Sequence, residues 1–380
     1  MLRTSAIEPA CTPPNREGRL ARDMKDAAQS IELDRLRSAW QGRVSGCLLG
    51  KPLEVLSFRE GRDGVHRYLG AAGALPLRDY VPFVDGTAVG GDVRACCLGR
   101  IERAEPDDDI DYTLLALALL EEHGPGFGTE DVARAWLRLL PAGATWTAER
   151  AAYRTMLNRM AEQFVNGDPP GFDLRECSDN DYNEWIGAQI RADLYGWVCP
   201  GRPALAAELA RRDASLSHRG DGVHAAAFVA ALGAALPACG DLDTALDAAL
   251  AQIPAQSGAA EGVRFGRSLA CAADAVSRLH RHYDGLTPLH AVNNLALVVW
   301  AFCTHPRDFS AAIGEAVAAG WDTDCNGATV GGLCGLSGAP IEARWTAPWQ
   351  GRIGTRLAGH SELQLEDVVR RTAEVARAIP

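Results

Sequence analysis

Leu114-Leu115-Ala116-Leu117-Ala118-Leu119-Leu120 is apolar on every face. A helix without a polar stripe is buried all round, so this run predicts the interior of a large helical body. Outward from it, the same periodicity begins near residue 31, where Leu33, Leu36, Trp40 and Val44 recur at spacings of three and four. Helical patterns follow over 129–140, 148–164, 203–213, 222–236, 242–252, 258–282, 289–303, 309–319, 326–336 and 362–379. The last carries Val368, Thr372, Val375 and Ile379 on one face, with Ser361 and Gln364 in capping-box spacing. Gly124-Pro125-Gly126, Pro169-Pro170-Gly171, Pro200-Gly201 and Pro306 separate these units. Strands do not alternate with helices and no repeat of 20–50 residues recurs, which disfavours doubly wound α/β folds and solenoids. The expectation is one all-α domain over 31–380, with a glycine-rich, loop-rich excursion over 57–106. Residues 1–30, polar with Pro9, Pro13 and Pro14, read as a flexible N-terminal tail.

The 380 residues suffice for one large core or two ordinary ones. Hydrophobic residues at 47% and charged residues at 23% are values of a soluble globular chain rather than a disordered one. A net charge of −11 opposes binding to nucleic acid or an anionic membrane. Basic charge is nearly all arginine, Lys25 and Lys51 being the lysines, so a lysine-based mechanism has few candidates. The 11 cysteines are odd in number and form no CxxC; Cys47, Cys239, Cys271, Cys303 and Cys334 lie in apolar or small-residue runs and read as buried thiols, and adjacent Cys96 and Cys97 as packing. The first twenty residues lack the apolar segment of a signal peptide, and Ala225–Cys239 falls short of a membrane span, so the expected location is cytoplasmic.

Two acidic stretches each open a helix. Asp107-Asp108-Asp109-Ile110-Asp111 enters the Leu114–Leu120 run, and Asp322-Thr323-Asp324-Cys325-Asn326 enters a small-residue run containing Gly327, Gly331, Gly332 and Gly335. Aspartate at a helix start caps free N–H groups, and one or two residues would need no other account. Magnitude argues for more: two carboxylates ~4 Å apart repel by roughly 4 kcal/mol at an effective dielectric near 20. Three in a row beside an apolar helix must be solvated, protonated or cation-bound. All-oxygen ligands suit a hard cation, Mg²⁺ or alternatively Mn²⁺, better than zinc. The glycines of the second stretch allow close approach of another helix. The first stretch also satisfies DDxxD, the diphosphate–Mg²⁺ motif of all-α terpene synthases. Aromatics at only 7% and the missing second metal motif near Asn180-Asp181 weigh against that chemistry. Three weaker candidates are Glu54 in GCLLGKPLE, His218 in LSHRGDG, and Gln189 and Arg191 in GAQIR; singly, each residue type is more often structural.

In order along the chain these stretches resemble the ADP-ribosylglycohydrolase superfamily, the group that includes dinitrogenase reductase-activating glycohydrolases. GCLLGKPLE is similar to its glycine-rich first motif, DDDIDYT to its Thr-Asp-Asp-Thr, GAQIR to its Gly-Ser-Ala-Met-Arg, LSHRGDG to its Ser/Thr-His segment, and GWDTDCNG to its Gly-Asp-Thr-Asp-Thr-Asn motif. The likeness runs from about Gly42 to Trp345. It implies a single large multi-helix orthogonal bundle holding two Mg²⁺ ions, and cleavage of a ribosyl C1″ bond. The metal ligands it implies are Asp108, Asp109, Asp322 and Asp324, with Asp107 and Cys325 at threonine positions. It makes Glu54 the active-site acid, acting with Asp109, and turns His218, Gln189 and Arg191 toward substrate, Arg191 being suited to a phosphate. Ile110 and Ala188 also depart from the pattern. These departures motivate two alternatives: a small-molecule N-ribosyl nucleoside or nucleotide as substrate, or a catalytically degenerate member that binds ADP-ribose. The expected partner is thus an ADP-ribosyl or N-ribosyl compound, free or protein-linked, with no nucleic acid and no membrane; the oligomeric state is not legible.

Overall fold

The structure, a computed structural model, describes residues 16–87 and 89–379, with side chains from residue 33 except at 92. Residues 1–15 of the expected tail lie outside the described residues, and helix α1 already spans Arg16–Ala71. The remaining helices are α2 (Asp108–His123), α3 (Thr129–Leu139), α4 (Thr147–Arg159), α5 (Asp193–Trp197), α6 (Pro203–Ala214), α7 (Gly220–Ala235), α8 (Leu242–Leu250), α9 (Gly258–Ser268), α10 (Ala275–His282), α11 (Ala291–Thr304), α12 (Phe309–Ala318), α13 (Thr323–Leu336), α14 (Ala343–Thr346) and α15 (Leu365–Ala378). Beside them, β1 (Arg352–Gly354) and β2 (Glu362–Gln364) form a two-stranded antiparallel ribbon. The expected all-α fold holds, and one continuous apolar cluster reaches from Leu36 to Ile379. Among the described residues no helix is long and apolar enough to cross a membrane.

The centre is a seam between α1 and α13, the most extensive helix pair. Gly42, Gly46 and Gly50 face Gly331, Gly327 and Thr323, and Ser38 faces Gly335, in antiparallel register every fourth residue. A methyl group on any of these glycines would run into the opposite backbone, so the helices meet main chain to main chain. Thr323 Oγ1 donates to the Gly50 carbonyl at 2.8 Å and pins the register. The next turn of α1 carries Glu54 past Gly50, to the level of Asp322 at the start of α13. Packing therefore sets one half of the acidic site against another from the opposite end of the chain.

Three local readings need correction. The irregular segment begins at 72 rather than 57, because α1 bends at Gly61 (φ 63, ψ −167) and continues, burying Val65, Tyr68 and Leu69. The single helix expected over 258–282 is two, broken where Cys271 takes a left-handed φ of 61 and stands exposed rather than buried. No capping box forms at Ser361: Gln364 is itself the N-cap of α15, and Ser361 accepts from Thr355 N in the turn of the ribbon. The ten described cysteines are free thiols.

Candidate active site

Asp107 caps α2, accepting from Asp109 N at 3.1 Å. The loop before it is fixed by the ribbon: Ala104 N donates to Arg352 O, Gly354 N to Ala104 O, and Arg356 to Pro106 O. Asp111, the last acid of DDxxD, accepts from Thr355 Oγ1 (2.6 Å) and Arg356 N (3.0 Å), so it anchors the ribbon to α2. That placement removes the terpene synthase reading.

Asp322 behaves differently from Asp107. It stands at the N-cap of α13 but makes no side-chain cap bond, and its buried Oδ1 has no hydrogen-bond partner. The turn ahead of it is strained: Gly320 (φ 86) packs on Arg62 and Ser57, and Trp321 holds a left-handed φ of 59. The His280 ring, 4.4 Å away, stacks on Trp321. Asn294 on α11 closes the far side, accepting from Asn326 Nδ2 (2.8 Å) and Asp322 N (3.4 Å).

The two acidic stretches meet. Oxygens of Glu54, Asp322 and Asp324 lie within 4.8 Å of one another, as do ligand atoms of Asp109, Asp324 and Cys325, and of Cys47, Asp107 and Asp109. Asp108 belongs to none of these triplets but is near enough that Asp107 and Asp324, after burial, push its carboxyl well up. Burial first, then Asp324 and Asp107, raises Glu54 in the same way, and burial with Asp324 and Glu54 raises Asp322. Asp107 goes the other way: burial would raise it, but the Lys51 ammonium paired with its Oδ2 holds it low. Asp109 shares Arg43 with Asp193, at 3.1 and 2.9 Å, while its own Oδ2 is buried without a partner. An orphaned oxygen on Asp322 within an all-carboxylate triplet fits a hard divalent cation; the two triplets holding a thiol fit one poorly.

The expected substrate residues form a second group, joined to the first through α2. Arg191 corrects the sequence reading. Its five donors are spent on Asp213 Oδ1 (2.6 Å) and O (3.3 Å), Glu149 Oε1 (2.6 Å), Gly187 O (3.0 Å) and Ser217 Oγ (2.9 Å). The guanidinium is 1% exposed and lies over Tyr112 and Trp136, so it holds the protein together and has no fork left for a phosphate. His218 keeps one free position: Nδ1 is 2.8 Å from Ser217 Oγ and Nε2 has no partner. Burial first, with Arg191 nearby, holds this imidazole well below its usual pKa and hence neutral. Both amide atoms of Gln189 are buried and unpartnered.

The sequence profile of the ADP-ribosylglycohydrolase family matches residues 28–377. The chain belongs to that family. Among solved structures, one named "ADP-ribosylglycohydrolase-related protein complex" is similar at TM-score 0.54 and 21% identity, covering 92% of this chain and 98% of that one. At that identity the likeness establishes the fold alone. No curated protein matches. Membership in the ADP-ribosylglycohydrolase family makes hydrolysis of a glycosidic bond the chemistry to set beside the acidic basin.

Sequence reasoning overlooked three contributors. Arg43, buried within the Gly42–Gly50 run, Lys51, and Asn294 within an apolar helix all stood in plain view as polar residues in apolar or glycine-rich surroundings. That contrast was the available signal.

Proposed function

We propose that this chain is a divalent-metal-dependent glycohydrolase that cleaves a ribosyl glycosidic bond, with Mg²⁺ held by Glu54, Asp322 and Asp324. One observation carries the reading: three carboxylates, one from within α1 and two from the start of α13, share a site in which Asp322 Oδ1 is buried and unanswered. A divalent ion there would serve as a Lewis acid toward ribose hydroxyls and the attacking water. The chain's own part follows from its geometry. Glu54, the half-buried member of the triplet, is the one with solvent access, and takes the proton of the water or returns one to the leaving group. Asp109, within 4.8 Å of Asp324, and Asp108 beside it complete the acidic lining that faces the sugar. His218 Nε2 and the Gln189 amide, whose polar atoms lack partners, hold substrate hydroxyls.

The test is Asp324→Asn. With its circular dichroism unchanged, the variant should lose Mg²⁺ binding and ribosyl hydrolysis together; retained turnover would remove the metal-dependent mechanism.

A second reading concerns the substrate. Arg191 has no donor free for a phosphate and Ala188 offers no hydroxyl, which favours a small N-ribosyl compound over ADP-ribosylated protein. Incubation with ADP-ribosyl protein beside a panel of nucleosides and nucleotides, scored for free ADP-ribose or ribose, separates the two. Release from the protein substrate alone would refute the small-molecule reading.

A further inference from the structure

Ligand atoms of Glu54, Asp107, Asp109, Asp322 and Asp324 crowd into one basin beside Asp108, a density of carboxylates that nearby cations relieve. The chain supplies two of its own. Arg43 answers Asp109 at 3.1 Å, and Lys51, one turn of α1 before Glu54, presses its ammonium on Asp107 Oδ2. The Lys51–Asp107 pair is no surface contact: Asp107 is 1% exposed and the lysine side chain is largely covered. The residue type is telling in a chain that otherwise draws its basic charge almost wholly from arginine. A compact ammonium is a point charge that fits into a pocket of oxygens.

The ligand sets on either side of the basin differ to match. The triplet that contains Asp107 also contains Cys47, and the middle triplet contains Cys325; sulfur is a poor ligand for a hard cation. Of the three triplets among the described residues, the one formed by Glu54, Asp322 and Asp324 presents oxygen alone, and there Asp322 Oδ1 remains unpartnered and buried.

We infer that the basin takes a single divalent ion, at Glu54, Asp322 and Asp324, and that the Lys51 ammonium fixed on Asp107 stands in for a second one. Lys51 is then a positioning residue: it neutralises the Asp107 side and keeps that wall from recruiting a second metal. The inference rests on the glycohydrolase reading only for the use of the site, not for the number of ions in it.

The experiment counts ions rather than turnovers. Metal-free full-length protein is titrated with Mn²⁺ by equilibrium dialysis, and the bound ion is examined by electron paramagnetic resonance. The wild-type chain should bind one ion per chain with the spectrum of an isolated Mn²⁺. Lys51→Met should bind a second ion, weaker than the first because Cys47 stands among its ligands, with exchange coupling between the two, while Lys51→Arg stays at one. Two ions of comparable affinity in the wild type, or none, would overturn the inference, as would a folded Lys51→Met that still binds one. Should Lys51→Met not fold, the wild-type count decides alone. One bound ion without ribosyl hydrolysis would sink the glycohydrolase reading and leave this one standing; two ions with full turnover would do the reverse.

Discussion

Gly46→Ala tests the seam on which the site depends. A methyl carbon at residue 46 would fall inside the carbonyl of Gly327 and 3.0 Å from Ala328 N. Both are main-chain atoms within a helix, so no rotamer change relieves the clash. The carbon would sit 1.9 Å from the Gly327 oxygen, so restoring an ordinary contact of about 3.5 Å requires α1 and α13 to part by roughly 1.5 Å. Overpacking of this kind costs typically 1–3 kcal/mol, and with rigid backbone on both sides the upper end applies. Alanine returns about 1 kcal/mol through its higher helix propensity. The expected net loss is therefore about 2 kcal/mol, read by urea denaturation against Gly143→Ala, where the added carbon meets nothing within 4 Å. Glu54 lies two turns further along the same helix, and a shift of that size between it and Asp322 should lower turnover by roughly a hundredfold. A Gly46→Ala protein as stable as the control, with unaltered turnover, would show that the seam neither bears load nor aligns the carboxylates.

Other predictions follow from the buried network. Arg191→Lys should lower stability by about 3 kcal/mol, because three ammonium donors cannot serve Glu149, Asp213, Gly187 and Ser217 together and a buried carboxylate is left unpaired. A fully stable variant with a raised KM would restore the phosphate role. His218, held neutral by burial in the fold, charges more readily in the unfolded chain. The unfolded state thus binds more protons, and stability falls as pH drops through about 6.5. His218→Asn should flatten that slope in a melting series between pH 7.5 and 5; parallel curves for variant and parent would refute the assignment.

Much of the helical fold was readable because periodicity is a local property. The apolar run at 114–120 and the face of Val368, Thr372 and Val375 became α2 and α15 as expected. What failed was also local but depended on partners. Gly61 bends α1 without ending it because Val65 and Leu69 find the core beyond the bend, and Cys271 breaks a helix that its own residues would continue. In the site, charge crowding at two helix starts pointed to Asp107–Asp109 and Asp322–Asp324 converging, and ligand atoms of Asp109 and Asp324 do lie within 4.8 Å of each other. It could not foretell that Arg191 would be consumed by Glu149 and Asp213, which lie far from it in sequence. Nor could it foretell that Lys51 would turn inward rather than into solvent.

The register between Gly50 and Thr323 joins residues 273 positions apart. At a synthesis rate of about 5–20 residues per second, α1 waits on the ribosome for roughly 15–55 s before its partner exists. Through that interval its glycine face has no counterpart and Glu54 lacks Asp322 and Asp324. On the proposed mechanism a nascent chain should neither bind metal nor turn over substrate until Asp322 and Asp324 have emerged, and a fragment ending before them should exhibit neither property.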